Sequence, residues 1–205
     1  MSFDLKNNNS QNEIDSLISL LAKLPGFGRR SARRAVLHMV NRRETVMAPI
    51  SQMLSKVYEN VHECKRCGNI TTTNNCKICS DTKRDKSKLC VVSDVSDLWA
   101  MERANIFNGR FYVLGGLLSA LDGVGPETLK IPFLVERIKT EDIKEVILAL
   151  SATINGQTTA HYIADQINKI DVEITSLAHG VPIGGDLDYL DEGTIEVALK
   201  GRKSF

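Results

Sequence analysis

Two kinds of residue in this 205-residue chain are spaced for chemistry. Cys64-Lys-Arg-Cys67 and Cys76-Lys-Ile-Cys79 are C-x-x-C pairs, eight residues apart. Each pair can set two thiolates at one edge of a tetrahedron. Together they predict a closed, structural Zn2+ site, one per chain, with no position left for substrate or water. Two disulfides or four idle thiols are the alternative. His62 precedes the first pair, but four sulfurs already fill the shell, so it is read as a surface residue. The second kind is arginine. Arg29, Arg30, Arg33 and Arg34 follow Pro25-Gly-Phe-Gly28. Gly26 and Gly28 bracket a tight turn that lets backbone approach a ligand, and amides at a helix start suit a phosphate. Arg30 and Arg34 are four apart, hence on one helical face. A plain turn between helices is the alternative.

The elements that must position these residues follow from periodicity. Residues 13–24 predict an amphipathic helix with a buried stripe of Ile14, Leu17, Leu20, Leu21 and Leu24, stopped by Pro25. Ser31 is the expected cap of a second helix over 31–43, with Ala35, Val36 and Met39 inward and His38 structural. Residues 45–63 predict a third helix burying Ile50, Met53, Leu54, Val57 and Val61. The Asp81–Lys88 stretch, rich in lysine, is read as a solvated loop, with a second strip of phosphate contacts as the alternative. Beyond it, apolar strands at 89–92, 111–114, 145–150 and 172–176 alternate with helices at 96–104, 126–139 and 158–169. That alternation means a parallel sheet with right-handed crossovers. Cys90 sits in Leu89-Cys-Val-Val92 and is read as a buried small hydrophobe.

Charge is divided along the chain. Residues 1–90 carry sixteen Lys/Arg against eight Asp/Glu, and residues 91–205 carry ten against seventeen, although the net charge is only +1. The first half is the candidate polyanion binder, and the acidic half is left for protein partners or simple solubility. No apolar run is long enough to span a membrane, and the polar, Asn-rich start up to Asn12 has no apolar signal core, which predicts a cytoplasmic protein. Aromatic content is 5%, and no aromatic row accompanies the arginines, so single-strand stacking is not the expected mode.

The motif L-P-G-x-G-x-x-S-A-x-R (24–34) resembles the helix-hairpin-helix element of DNA-binding proteins, which holds the phosphate backbone with little regard for sequence. LPGFGRRSARR, the cysteine pairs, GRFYVLGGLLSALDGVGPE (109–127), EVILALSATINGQTTAHYI (145–163) and AHGVPIGGDLDYLDEGTIEVALKGR (178–202) carry a wider resemblance. Over roughly residues 13–203 the chain resembles the RecR family of bacterial recombination mediators. The resemblance implies an α+β multi-module chain. Its parts are a helix-hairpin-helix region (1–63), a four-cysteine zinc module and linker (64–87), a Toprim domain with a parallel four-stranded sheet (88–180) and a C-terminal tail (181–205).

The resemblance also implies function. RecR proteins form homotetrameric rings and act with RecO, and with RecF where present, to displace single-strand-binding protein and load RecA at gaps. It places DNA contacts at Arg30 and Arg34; Arg29 and Arg33 are added from charge, and Gly26 and Gly28 from hairpin geometry. DNA in duplex, single-strand and gapped form, RecO, RecF and further copies of the chain are the implied partners, at the nucleoid of a bacterial cytoplasm. Catalytic Toprim proteins hold Mg2+ with a Glu after the first strand and an Asp-x-Asp after a later one. Here Ser93 and Leu150-Ser-Ala-Thr153 stand at those positions, and Asp94 and Asp97 do not rebuild the triad. No catalytic residue is therefore expected, a Toprim nuclease being the rival reading.

Overall fold

The structure, a computed structural model, describes residues 12–178 and 180–202. The polar start before Asn12, His179 within the 178–202 motif and residues 203–205 lie outside the described residues. The chain divides into two compact units, one ending at Asn60 and one beginning at Val61.

The first unit is helical. Helix α1 spans Glu13–Leu21 and α2 spans Arg29–Asn41. They pack through Ile18, Ala32 and Val36, flanked by Leu17, Leu21 and Met39. The stripe on α1 is therefore narrower than periodicity predicts: Ile14, Leu20 and Leu24 are exposed. Helix α2 also starts two residues before Ser31, with Gly28 at its cap and no capping side chain. Backbone geometry wins here, because Gly28 is extended and its carbonyl accepts from Ala32 N at 3.0 Å. A π-helical turn, Arg43–Met47, leads into α3, Ala48–Asn60. None of α3 is buried. Ile50, Met53, Leu54, Val57 and Val61, predicted as a core stripe, are all exposed, Leu54 by 66%. Periodicity identifies an apolar face; it does not supply what covers that face.

The second unit opens with the cysteine module. Strands β1 (His62–Glu63) and β2 (Ile70–Thr71) pair antiparallel around the first knuckle, and the short helix α4 (Lys77–Ser80) carries the second. There follows a sheet of β3 (Lys88–Val92), β4 (Arg110–Val113), β5 (Glu145–Ala149) and β6 (Glu173–Ser176), all parallel in the order β4-β3-β5-β6. Helices α5 (Val95–Ala104), α6 (Ile131–Thr140) and α7 (Ile154–Ile167) are the crossovers. The helix expected from 126 begins only at Ile131, where Pro132 lies in the first turn and is preorganised for it. Helix α7 begins four residues earlier than expected, because Thr153 Oγ1 caps Gly156 N at 3.2 Å. The C-terminal tail, for which the sequence reading names no helix, holds α8 (Glu192–Lys200), capped by Asp191.

Side chains alternate across a strand, so the apolar runs feed two cores. Leu89, Val91, Tyr112, Val146 and Leu148 meet Leu134 and Ile138 of α6 and Ile163 and Ile167 of α7. Cys90, Val92, Phe111 and Val113 point the other way and meet Leu98 of α5 together with Cys64, Cys67, Cys76 and Ile78. The cysteine module thus forms part of the layer covering one face of the sheet. Cys90 is fully buried, and burial pushes its thiol up to about 12.

Candidate metal centre and phosphate-contact surface

The four cysteine sulfurs lie within 4.8 Å of one another, and Cys64, Cys67 and Cys76 are buried. All are free thiols. Cys67 Sγ and Cys76 Sγ are 3.4 Å apart, far beyond a disulfide bond of ~2.05 Å. That spacing approaches the ~3.8 Å sulfur–sulfur edge of a tetrahedron built on ~2.3 Å metal–sulfur bonds. The donor set and its spacing fit Zn2+, and the disulfide alternative is set aside. A hydrogen bond from Cys67 is the main cause that brings the Cys79 thiol down to about 6 against burial, with the Arg137 charge adding to it. Cys67 moves well up, chiefly because its hydrogen bond with Cys79 holds its proton, and burial adds to this. His62 is exposed, with a ring nitrogen 3.1 Å from Thr73 O, consistent with a place outside the shell.

Local backbone explains why the first knuckle closes. Cys64 N donates to Asn69 O at 2.7 Å and Gly68 N to Cys64 O at 2.8 Å. Gly68 has φ +76°, and a Cβ there would stand 3.0 Å from Val113 O. Gly68→Ala is expected to lower stability by about 1–3 kcal/mol, from left-handed backbone and crowding together; a chemical-denaturation midpoint checks it. The knuckle is sewn to the sheet: Val113 N donates to Cys67 O at 2.8 Å, and Trp99 Nε1 of α5 donates to Asn69 Oδ1 at 3.0 Å.

The 81–88 stretch is less solvated than expected. Arg84 donates to Glu102 at 2.6 Å and to Gly109 O at 3.0 Å, while Lys83, Lys86 and Lys88 lie toward solvent, Lys88 pairing with Glu145 at 3.5 Å. Charge pairing with α5 overrides the polar composition.

Gly26 occupies φ +78° at the hairpin between α1 and α2, and neither it nor Gly28 has a heavy atom within 4 Å of a would-be Cβ. The space over both glycines is open to an incoming backbone. Arg29, Arg30, Arg33 and Arg34 all lie on α2 outside the core that Ala32 and Val36 form. None of the four is ion-paired among the described residues. Arg42, by contrast, has Nη1 2.6 Å from His38 Nδ1, which gives His38 the structural part expected of it.

At the carboxyl ends of β3 and β5, Ser93, Asp94, Asp97, Leu150 and Ser151 line a cavity of about 310 Å³. The nearby acids belong to helix α5. Asp94 accepts from Ser96 N at 2.7 Å and Asp97 N at 3.2 Å, and Asp97 returns the bond to Asp94 N in a capping box. Ser93 Oγ donates to Asp97 as well. The Ser96 hydroxyl, foremost, holds the Asp94 carboxyl below its usual range. Sequence reasoning missed one constellation altogether. Glu141 accepts from Arg66 at 3.0 Å, Arg110 at 3.1 Å and Arg137 at 3.2 Å. Arg137 is four residues before Glu141, but Arg66 and Arg110 are 75 and 31 positions away, and no local pattern announces their convergence.

Four family models match in series: the RecR helix-hairpin-helix (14–58), the RecR zinc finger domain of four cysteines (61–81), the Toprim domain (87–178) and the RecR C-terminal region (180–203). Among curated proteins, Recombination protein RecR of Ruegeria sp. (strain TM1040) is 60% identical over 191 residues, covering 93% of this chain and 96% of that one. That of Cereibacter sphaeroides (strain ATCC 17025 / ATH 2.4.3) is 59% identical over 193 residues, covering 94% and 97%. That of Brucella anthropi is 56% identical over 190 residues, covering 93% and 94%.

Proposed function

The chain belongs to the RecR family, and from that premise we propose that it is a DNA-binding recombination mediator. It acts with RecO, and with RecF where present, in displacing single-strand-binding protein and loading RecA at gaps. The observation that carries DNA contact is the row of four arginines, free of ion pairs among the described residues, beside an open hairpin. Arg30 and Arg34, with Arg29 and Arg33, neutralise phosphates, while Gly26, Gly28 and the uncapped start of α2 let the backbone come close. No base-reading device accompanies them, so affinity should ignore sequence.

Self-association into a tetrameric ring draws support from the exposed apolar stripe of α3, since contiguous apolar surface of this kind marks protein contacts. Closed symmetry would then multiply weak phosphate contacts into avidity. The Toprim region serves docking, not catalysis: Ser93 and Ser151 stand where the metal-holding acids of Toprim enzymes are expected, and Asp94 and Asp97 are engaged as helix caps. Among the described residues, no helix is long and apolar enough to cross a membrane.

The test is fluorescence anisotropy with duplex and gapped oligonucleotides across a salt series. Log affinity should fall linearly with log salt, by about 0.9 per phosphate neutralised, and be indifferent to base composition. A salt-independent affinity would overturn the phosphate reading. Incubation of the same DNA with Mg2+ or Mn2+ should leave it intact; cutting by homogeneous protein would favour the nuclease reading instead.

A further inference from the structure

Arg137 is a charged side chain placed where charge is costly. It belongs to α6 and is 6% exposed. Its Nη1 donates at 3.1 Å to the carbonyl of Arg66, inside the first knuckle between Cys64 and Cys67, and at 3.1 Å to Phe111 O of β4. Its Nε donates to Glu141. Its Nη2 is buried without a hydrogen-bond partner among the described residues. Arg137 and Cys64 also line the same cavity, about 500 Å³, between the knuckle and α6.

The charges around it do not cancel. Arg66, Arg110 and Arg137 converge on one carboxylate, Glu141, so three positive charges meet one negative and two remain. Arg110 and Arg137 are buried, whereas Arg66 is partly exposed. The two buried cations share one carboxylate, and a buried charge left over in this way is expensive unless something opposite stands close. Zn2+ with four thiolates carries two negative charges, and the first knuckle is in direct hydrogen-bonded contact with the surplus. We propose that Arg137 is a positioning residue for the metal: its fixed cation balances the tetrathiolate charge, and its grip on the Arg66 carbonyl orients the first knuckle. Groups of this outer kind typically change metal affinity by about 10- to 100-fold. Glu141 holds the guanidinium in place and at the same time moderates its charge.

Full-length variants tested for Zn2+ affinity by competition with a chromophoric chelator decide this. Arg137→Met keeps length and removes charge, and should bind zinc about 10- to 100-fold more weakly. Arg137→Lys keeps the charge and should recover most of that loss. Glu141→Gln raises the positive surplus and should hold zinc as tightly as the unmodified protein or more so. Cobalt-substituted spectra should stay tetrahedral in every variant that folds. If Arg137→Met fails to fold, the Lys and Gln variants still decide: zinc held by both supports charge balance, and zinc weakened tenfold or more by both overturns it. Zinc weakened as much by Glu141→Gln as by the Met variant would make the network mere scaffolding, and equal weakening by Lys and Met would remove charge as the cause. Unchanged affinity in Arg137→Met would overturn the proposal outright.

Discussion

Removing zinc is expected to unfold much more than the cysteine module. Cys64, Cys67 and Cys76 pack with Ile78 against Phe111, Val113 and Val92, so the metal knot covers part of one face of the parallel sheet. Structural Zn2+ contributes on the order of 10–16 kcal/mol in isolated finger peptides. Loss of even about 5 kcal/mol in a chain of this size lowers Tm by roughly 10–20 °C. Cys67→Ser, or chelation at neutral pH, should therefore abolish stoichiometric zinc and drop the melting point of the sheet together with the module. Zinc content and circular dichroism on the same samples check it. A metal-free chain melting where the loaded chain does would mean that the knuckles are held by packing alone. Zinc should also be released in acid, because thiolates must form for the metal to bind.

Arg30→Ala with Arg34→Ala is the second large effect. The two side chains lie exposed on one face of α2, away from Ala32 and Val36, and make no ion pair among the described residues. Removing them leaves the helical core untouched, so stability should move by no more than about 0.5 kcal/mol. DNA affinity should fall steeply. Two charge-assisted contacts at about 1.5 kcal/mol each amount to roughly a hundredfold. The salt slope should flatten by about two per chain as two phosphates cease to be neutralised. Anisotropy on gapped and duplex DNA, beside a thermal melt, separates lost contact from lost fold. Undiminished affinity in a well-folded double variant would remove the hairpin from the DNA contact.

Different parts of the molecule are legible in the sequence for different physical reasons. Cysteine spacing announces the metal site, because ligand chemistry needs those atoms at that separation whatever surrounds them. The strands around Cys90 and Phe111 are readable because a sheet covered on both faces demands unbroken apolar runs. The start of α2 is misread, since Ser31 has a capping side chain but Gly28 has the backbone conformation. Helix α8 is hidden by Gly193 in its first turn, although Asp191 caps it by accepting from Thr194 N at 3.0 Å. The apolar row on α3 is a face, as its spacing says, but not a core. Arg137 and Glu141 are illegible, because their meaning lies in partners such as Arg66, more than seventy positions away.

The joint between the first knuckle and β4 bears on solubility. Strand β4 is an edge of the sheet, and an edge strand offers its free amides and carbonyls to any other chain. Here Val113 N is taken by Cys67 O and Phe111 O by the Arg137 guanidinium. The knuckle is a stopper on an otherwise adhesive rim. A chain that lost its metal would uncork the outward backbone groups of β4 and the side chains of Phe111 and Val113, and on melting should precipitate by strand-to-strand pairing more readily than the loaded chain.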